Sequence, residues 1–201
     1  MTFATIGRLA ACSLLLTLAA CAGGRSAPPA ATYDFGPRPA EAGVDGAASA
    51  VARPVSLELR LAPWLDTPAV NYRLAYDDAS RLMAYSQSRW AAPAGQLLNL
   101  RLRQQLGGGN GGCALRLEVD EFTQVFDSPT QSRGVLQGRM TLFDKQRKLI
   151  FERPFSVEKP APSPDARGGV VALSLAADAF GQEIGRRLAD LEREARLAPC
   201  R

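Results

Sequence analysis

Val55, Leu57, Leu59 and Leu61 alternate with Ser56, Glu58 and Arg60, and the same rhythm returns where Leu115, Leu117 and Val119 alternate with Arg116, Glu118 and Asp120. A period of two puts the apolar side chains on one face of a strand and the charges on the other. Strands of this kind build a sheet with one wet face and one face that needs a cover. Two helices supply that cover. Leu173, Ala177, Phe180, Ile184, Leu188 and Leu191 recur every three or four residues within a predicted helix spanning about 169–197, whose other face carries Glu183, Arg187, Asp190 and Glu194. A shorter helix is predicted from Pro93, a residue suited to the first helical position, to Leu106, where a run of glycines ends it. Further strands are expected at 33–35, 70–75 and 81–88. A hairpin of 134–143 and 148–157 is expected around Asp144-Lys145-Gln146-Arg147. The expected fold class is α+β: a two-layer domain with a mostly antiparallel sheet and two main helices on one face.

The shorter helix has an unusual apolar spread. Leu97, Leu98, Leu100, Leu102 and Leu106 occupy more than half of its circumference, interrupted by Arg101 and Gln105. A helix so widely apolar is buried on more than one side. Either the chain's own Gly- and Pro-rich segments cover the extra leucines, or part of the helix, Leu98 included, faces a neighbouring copy.

The N-terminus has a different logic. Arg8 is the only charge before Cys21, and from Leu9 to Ala20 the chain is apolar or small. This is the layout of an export signal, and the run falls short of the roughly 20 apolar residues a spanning helix needs. Leu18-Ala19-Ala20-Cys21 resembles the lipobox of bacterial lipoproteins. That resemblance implies cleavage before Cys21 and lipid attachment, including palmitate-type acyl chains, on this cysteine. Ala22 rather than Asp after the cysteine implies the outer membrane, with the protein on its periplasmic face. The expected organisation is a signal peptide at 1–20, a lipid-anchored tether with a short first strand at 21–53, and a folded domain at 54–201. Of the remaining cysteines, Cys12 leaves with the signal. Cys113 and Cys200 stay in an oxidising compartment, where a bridge is expected, with two free thiols as the alternative.

Composition narrows the chemistry. Histidine is absent, which removes Ser-His-Asp and Cys-His nucleophile systems and the usual zinc sites. Glu118, Asp120 and Glu121 are the nearest thing to paired carboxylates, but Glu118 and Asp120 alternate with Leu117 and Val119, which reads as a solvated sheet face. Gly107 to Gly112 spells the dinucleotide-binding pattern in reversed context, leaving a helix and opening a strand, so it reads as a loop. No catalytic residue, cofactor or metal is expected. A formal charge of +4, with basic and acidic residues interspersed, gives no reason to expect nucleic acid.

Three stretches carry a family resemblance. Trp64-Leu65-Asp66-Thr67-Pro68-Ala69-Val70-Asn71-Tyr72-Arg73, Ser88-Arg89-Trp90-Ala91-Ala92-Pro93 and Tyr33-Asp34-Phe35-Gly36-Pro37 resemble, in order and spacing, the ABC-type transport auxiliary lipoproteins. Ala92 departs from the Glu common there, and the linker from Pro37 to Arg53 looks long. The resemblance implies a transport subunit without catalysis. It further implies that such a subunit serves an MCE-domain substrate-binding protein, an ABC permease and its ATPase, that it docks the MCE assembly to the outer membrane, and that it can form a homo-oligomeric ring, as is thought of at least one relative. Trp64, Arg89, Trp90 and Leu98 are the candidate partner surface: Trp64 lies in a turn between prolines, and Trp90 either plugs the core or anchors an interface. Arg89 either contacts the partner or pairs with an acid such as Asp120. A structural or assembly lipoprotein that binds peptidoglycan or an outer-membrane barrel is the other function class the same features allow.

Overall fold

The computed structural model describes residues 29–37, 55–107 and 112–200. The elements are β1 (Ala31–Tyr33), β2 (Val55–Leu61), β3 (Ala69–Leu74), β4 (Asp78–Trp90), α1 (Ala94–Leu106), β5 (Cys113–Ser128), β6 (Gln131–Phe143), β7 (Leu149–Pro160) and α2 (Ala166–Arg193), followed by a 3-10 turn at Ala198–Cys200. The fold is α+β. Seven strands form one open sheet in the order β1-β4-β3-β5-β6-β7, with β2 also paired to β5. α2 packs on β5, β6 and β7, and α1 packs on β2 and on α2.

β5 is the spine of the sheet. On one side β6 follows it antiparallel from Ala114↔Phe143 to Ser128↔Gln131, and β7 follows β6 in turn. Its other side is shared by two parallel neighbours. β2 takes Cys113 to Val119, and β3 takes Gln124 to Phe126. β4 returns antiparallel along β3, and β1 adds a parallel edge against Ser88 to Trp90. The longest ladders are antiparallel, yet three pairs are parallel. The alternating pattern does not distinguish them, because side chains alternate in both.

The alternation sorts the two faces as expected. Leu115, Leu117 and Val119 are buried beneath the helices. On the opposite face, Arg116 meets Glu58 at 3.4 Å and Arg139 meets Glu152 at 2.7 Å. The expected strand stops at Asp120, whereas β5 continues to Ser128. The register shifts between Val119 and Glu121, and such a bulge breaks the period of two. Beyond it Phe122, Thr123, Gln124, Val125 and Phe126 are all buried. The buried Gln124 is satisfied on both sides: its Oε1 accepts from the Tyr85 hydroxyl at 2.8 Å and its Nε2 donates to Ser132 Oγ at 2.8 Å.

α2 begins at Ala166 rather than near Gly169. Asp165 caps it, its Oδ1 accepting from the Gly168 amide at 2.7 Å, and this bond holds the carboxyl below its ordinary range. The predicted apolar stripe is buried throughout, and Phe180 stacks on Phe155 with ring centroids 4.0 Å apart. The helix lies so close to the sheet at Gly134 that a β-carbon there would meet the Ala172 backbone at 2.7 Å.

α1 accounts for its own leucines. Leu98 and Leu102 are fully buried in the chain's own core, Leu97 and Leu106 are half-buried, and Leu100 is 56% exposed. Arg101 and Gln105, which interrupt the apolar face in the sequence, point at α2 and meet Asp178 there. The breadth of the apolar surface follows from packing on the sheet and on a second helix. Leu98 is therefore corrected from partner surface to core.

Candidate functional site

The turn between β2 and β3 contains the first motif. Leu65 inserts into the core, and its amide donates to Ala62 O at 2.8 Å. The next residues bind the second motif. Asp66 Oδ1 accepts from the Gly95 amide at 3.0 Å, at the first turn of α1, where Pro93 has no capping side chain of its own. Asp66 thus serves as a cap from a distant part of the chain. A β-carbon on Gly95 would stand 2.8 Å from that oxygen, so the close approach requires glycine. Thr67 O accepts from the Ala94 amide at 3.2 Å, and Pro68 O accepts from the Trp90 amide at 2.7 Å.

The third motif joins the same place. Ala91 donates to Tyr33 O at 2.7 Å. Phe35 lies edge-on to Trp90 at 5.4 Å, and Phe122 stacks on Trp90 at 6.0 Å. Three stretches far apart in sequence therefore form one joint, with the α1 N-terminus at its centre. Trp90 is 2% exposed and fills the core of this joint, so it is corrected from the candidate partner surface. Trp64 is 63% exposed in the turn that leads into the joint. Arg89 is exposed, and its Nε donates to Thr32 Oγ1 at 3.2 Å; it makes no ion pair with Asp120. The surface of four residues expected from the motifs thus divides into two exposed residues, Trp64 and Arg89, and two core residues, Trp90 and Leu98.

A second constellation is not legible in the sequence as such. Arg101, 4% exposed, forms a two-pronged bond to Asp178, with Nε to Oδ1 at 2.6 Å and Nη2 to Oδ2 at 2.8 Å. Gln105 donates to the same carboxylate at 2.5 Å, and Arg101 Nη1 reaches Gly36 O at 3.4 Å. The bond to Asp178 pushes the Arg101 guanidinium above its ordinary value. One carboxylate thereby joins both helices and the strand-to-linker corner. The one signal in the sequence is the four-residue spacing of Arg101 and Gln105, which places them on one helix face.

The acids weighed for catalysis are dispersed. Glu121 pairs with Arg73 at 3.1 Å, and Asp120 is exposed. Among the described residues no three His, Cys, Asp or Glu side chains gather where they would hold a metal ion. Cys113 and Cys200 are both buried and joined, with Cα atoms 4.8 Å apart. Cys21, with the signal and most of the tether, lies outside the described residues. Among the described residues no helix is long and apolar enough to cross a membrane.

A family model described as ABC-type transport auxiliary lipoprotein component matches residues 37–185. No curated protein matches. Among solved structures, a Xanthomonas campestris protein of the DUF330 family is 18% identical, with a TM-score of 0.63 over 70% of this chain and 86% of its own. An uncharacterised protein is 19% identical, with a TM-score of 0.60 over 80% of this chain and 99% of its own. At these identities the likeness concerns the fold.

Proposed function

The chain belongs to the ABC-type transport auxiliary lipoprotein component family, and from that premise we propose that it is a non-catalytic subunit of a lipid transport system that docks a periplasmic MCE assembly to the outer membrane. Cys21 carries the lipid anchor, the segment 21–53 is the tether, and the domain that follows is the docking body. Energy comes from the ATPase subunit, and the cargo from the MCE protein.

The observation that carries this reading is Trp64. A large exposed indole next to a joint made by three motifs has the make-up of an interface anchor, since Trp and Arg dominate interface hot spots. Arg89, exposed and near the same joint, completes the surface. The core role of Trp90 explains why the joint holds its shape while Trp64 is free to touch a partner.

Co-purification tests the reading. The MCE-domain protein encoded with this chain is expected to bind it. Trp64→Ala should weaken that binding by about tenfold or more while leaving stability within about 0.5 kcal/mol. Recovery of peptidoglycan fragments or a barrel protein, with no MCE protein, would transfer the subunit to envelope assembly. For the anchor, Cys21→Ser should abolish incorporation of a palmitate label and release the protein from membranes. Label that persists in this variant refutes the lipid assignment.

A further inference from the structure

β1 is fastened differently from the other strands. It is three residues long and, among the described residues, pairs with β4 alone, from Ala31↔Ser88 to Tyr33↔Trp90. Ala31 and Thr32 are exposed, and Tyr33 is half-buried. The firmer grip comes from the residues that follow. Asp34 Oδ1 accepts from the Gly36 amide at 2.8 Å, and Gly36 takes φ 66°, so the chain turns just after Phe35. Phe35 lies edge-on to Trp90 at 5.4 Å and to Phe122 at 6.0 Å, and the Gly36 carbonyl accepts from Arg101 at 3.4 Å. Residues 31–36 thus hang on a short ladder, one ring and the side-chain bonds from Arg89 and Arg101. Their withdrawal leaves the other strands paired: β4 keeps β3, and Phe122 stays within the β5–β6 ladder. An edge strand held this way belongs to the low-stability end of a fold, where segments open locally.

The chain that follows is longer than its ends require. Gly36 O accepts from Arg101 and Leu57 O from Arg103, two residues apart on α1 and on opposite sides of it. The two carbonyls are therefore about one or two helix diameters apart, about 10–25 Å. The about 17 residues between Pro37 and Val55 span up to about 60 Å. While β1 is docked, that length adds nothing to the distance between Cys21 and the domain. About ten residues then join Cys21 to Ala31, a span of at most about 35 Å. With β1 withdrawn, Cys21 is joined to the domain through Val55, by about 34 residues and at most about 115 Å.

We propose that residues 31–36 are a releasable clasp that gives the lipid tether two lengths, a short one with Phe35 seated on Trp90 and Phe122 and a long one with it withdrawn. An anchored subunit that also holds a partner bears any change in the gap between membrane and partner. The clasp yields first and lets out chain while the domain stays folded. The opening is a property of the domain, and its use as a membrane spacer rests on the assignment of Cys21 as the anchor.

Hydrogen exchange on the Cys21→Ser chain tests the opening. The Ala91 amide donates to Tyr33 O and the neighbouring Trp90 amide to Pro68 O, so release frees the first and spares the second. Relative to free-peptide rates, Ala91 should exchange at least about tenfold faster than Trp90, and Phe35→Ala should widen the difference. Equal protection of the two amides overturns the proposal. Reach is measured by pulling on the chain that begins at Cys21. Its thiol takes one handle, since Cys113 and Cys200 are bridged, and the other handle sits at the C-terminus. The first lengthening should release about 24 residues, up to about 80 Å, reversibly and at a lower force than unfolding of the domain. Phe35→Ala should lower that force. Unfolding without this step, or a step whose force is the same in Phe35→Ala, overturns the clasp and leaves the anchor untouched. Palmitate label that persists in Cys21→Ser refutes the anchor and with it the membrane spacer, even where the step is seen.

Discussion

Asp66 shows how much one side chain decides at the joint. Its carboxylate takes the place of a cap that Pro93 cannot supply, and it is bonded to Gly95 across a long stretch of chain. Asp66→Ala should lower stability by about 1 kcal/mol, as loss of a helix cap does. Asp66→Asn should recover most of it, because the amide oxygen accepts the same bond. Urea denaturation checks both, and an unperturbed Asp66→Ala midpoint would show that the cap contributes nothing. The two tryptophans stand in recognisable motifs, and on residue type alone both are surface candidates. What separates them is tertiary. Trp90 ends a strand whose inner face meets Phe35 and Phe122, while Trp64 sits exposed in a turn. Residue types announce an anchor, but only the packing of distant strands decides which of two identical rings is buried.

At the scale of elements, the contact between α1 and α2 depends on a buried charge pair. A buried ion pair contributes little net stability, but removing one partner is strongly destabilising because it strands the other. Asp178→Ala should therefore cost about 3 kcal/mol or more, whereas the double variant Arg101→Met, Asp178→Leu should lie closer to the parent. Thermal unfolding of the single and double variants measures the coupling, and additive losses would rule out the pairing as its source. The apolar periodicity of α2 is legible because one stripe faces one sheet. α1 is harder to read because it faces two neighbours at once, and a polar residue directed at a carboxylate looks, in one dimension, like solvent exposure. The β5 bulge hides the second half of the strand for a related reason, since a shift of one residue inverts the alternation.

For the whole molecule, the cysteines and the topology tell different stories about legibility. The pairing of Cys113 with Cys200 follows from compartment and count, and in the structure it links the start of β5 to the last turn across 87 residues. Non-reducing peptide mapping should recover the two cysteines in one linked species, and reduction should lower stability by about 4 kcal/mol by the loop-entropy argument. Two alkylatable thiols in the oxidised protein would exclude the bridge. The split edge of β5, by contrast, leaves no trace in the alternation, and it governs the order of events in folding. Val55 pairs with Cys113 and Tyr72 with Gln124, so neither β2 nor β3 has its β5 neighbour until that strand has been delivered. Before that the chain can form the β3–β4 hairpin, the β1 edge on β4 and α1, and the closure of such distant parallel pairs is entropically slow. A chain that has not yet delivered β5 therefore keeps β2 without a partner strand and leaves the inner faces of β2 and β3 without the sheet that completes them.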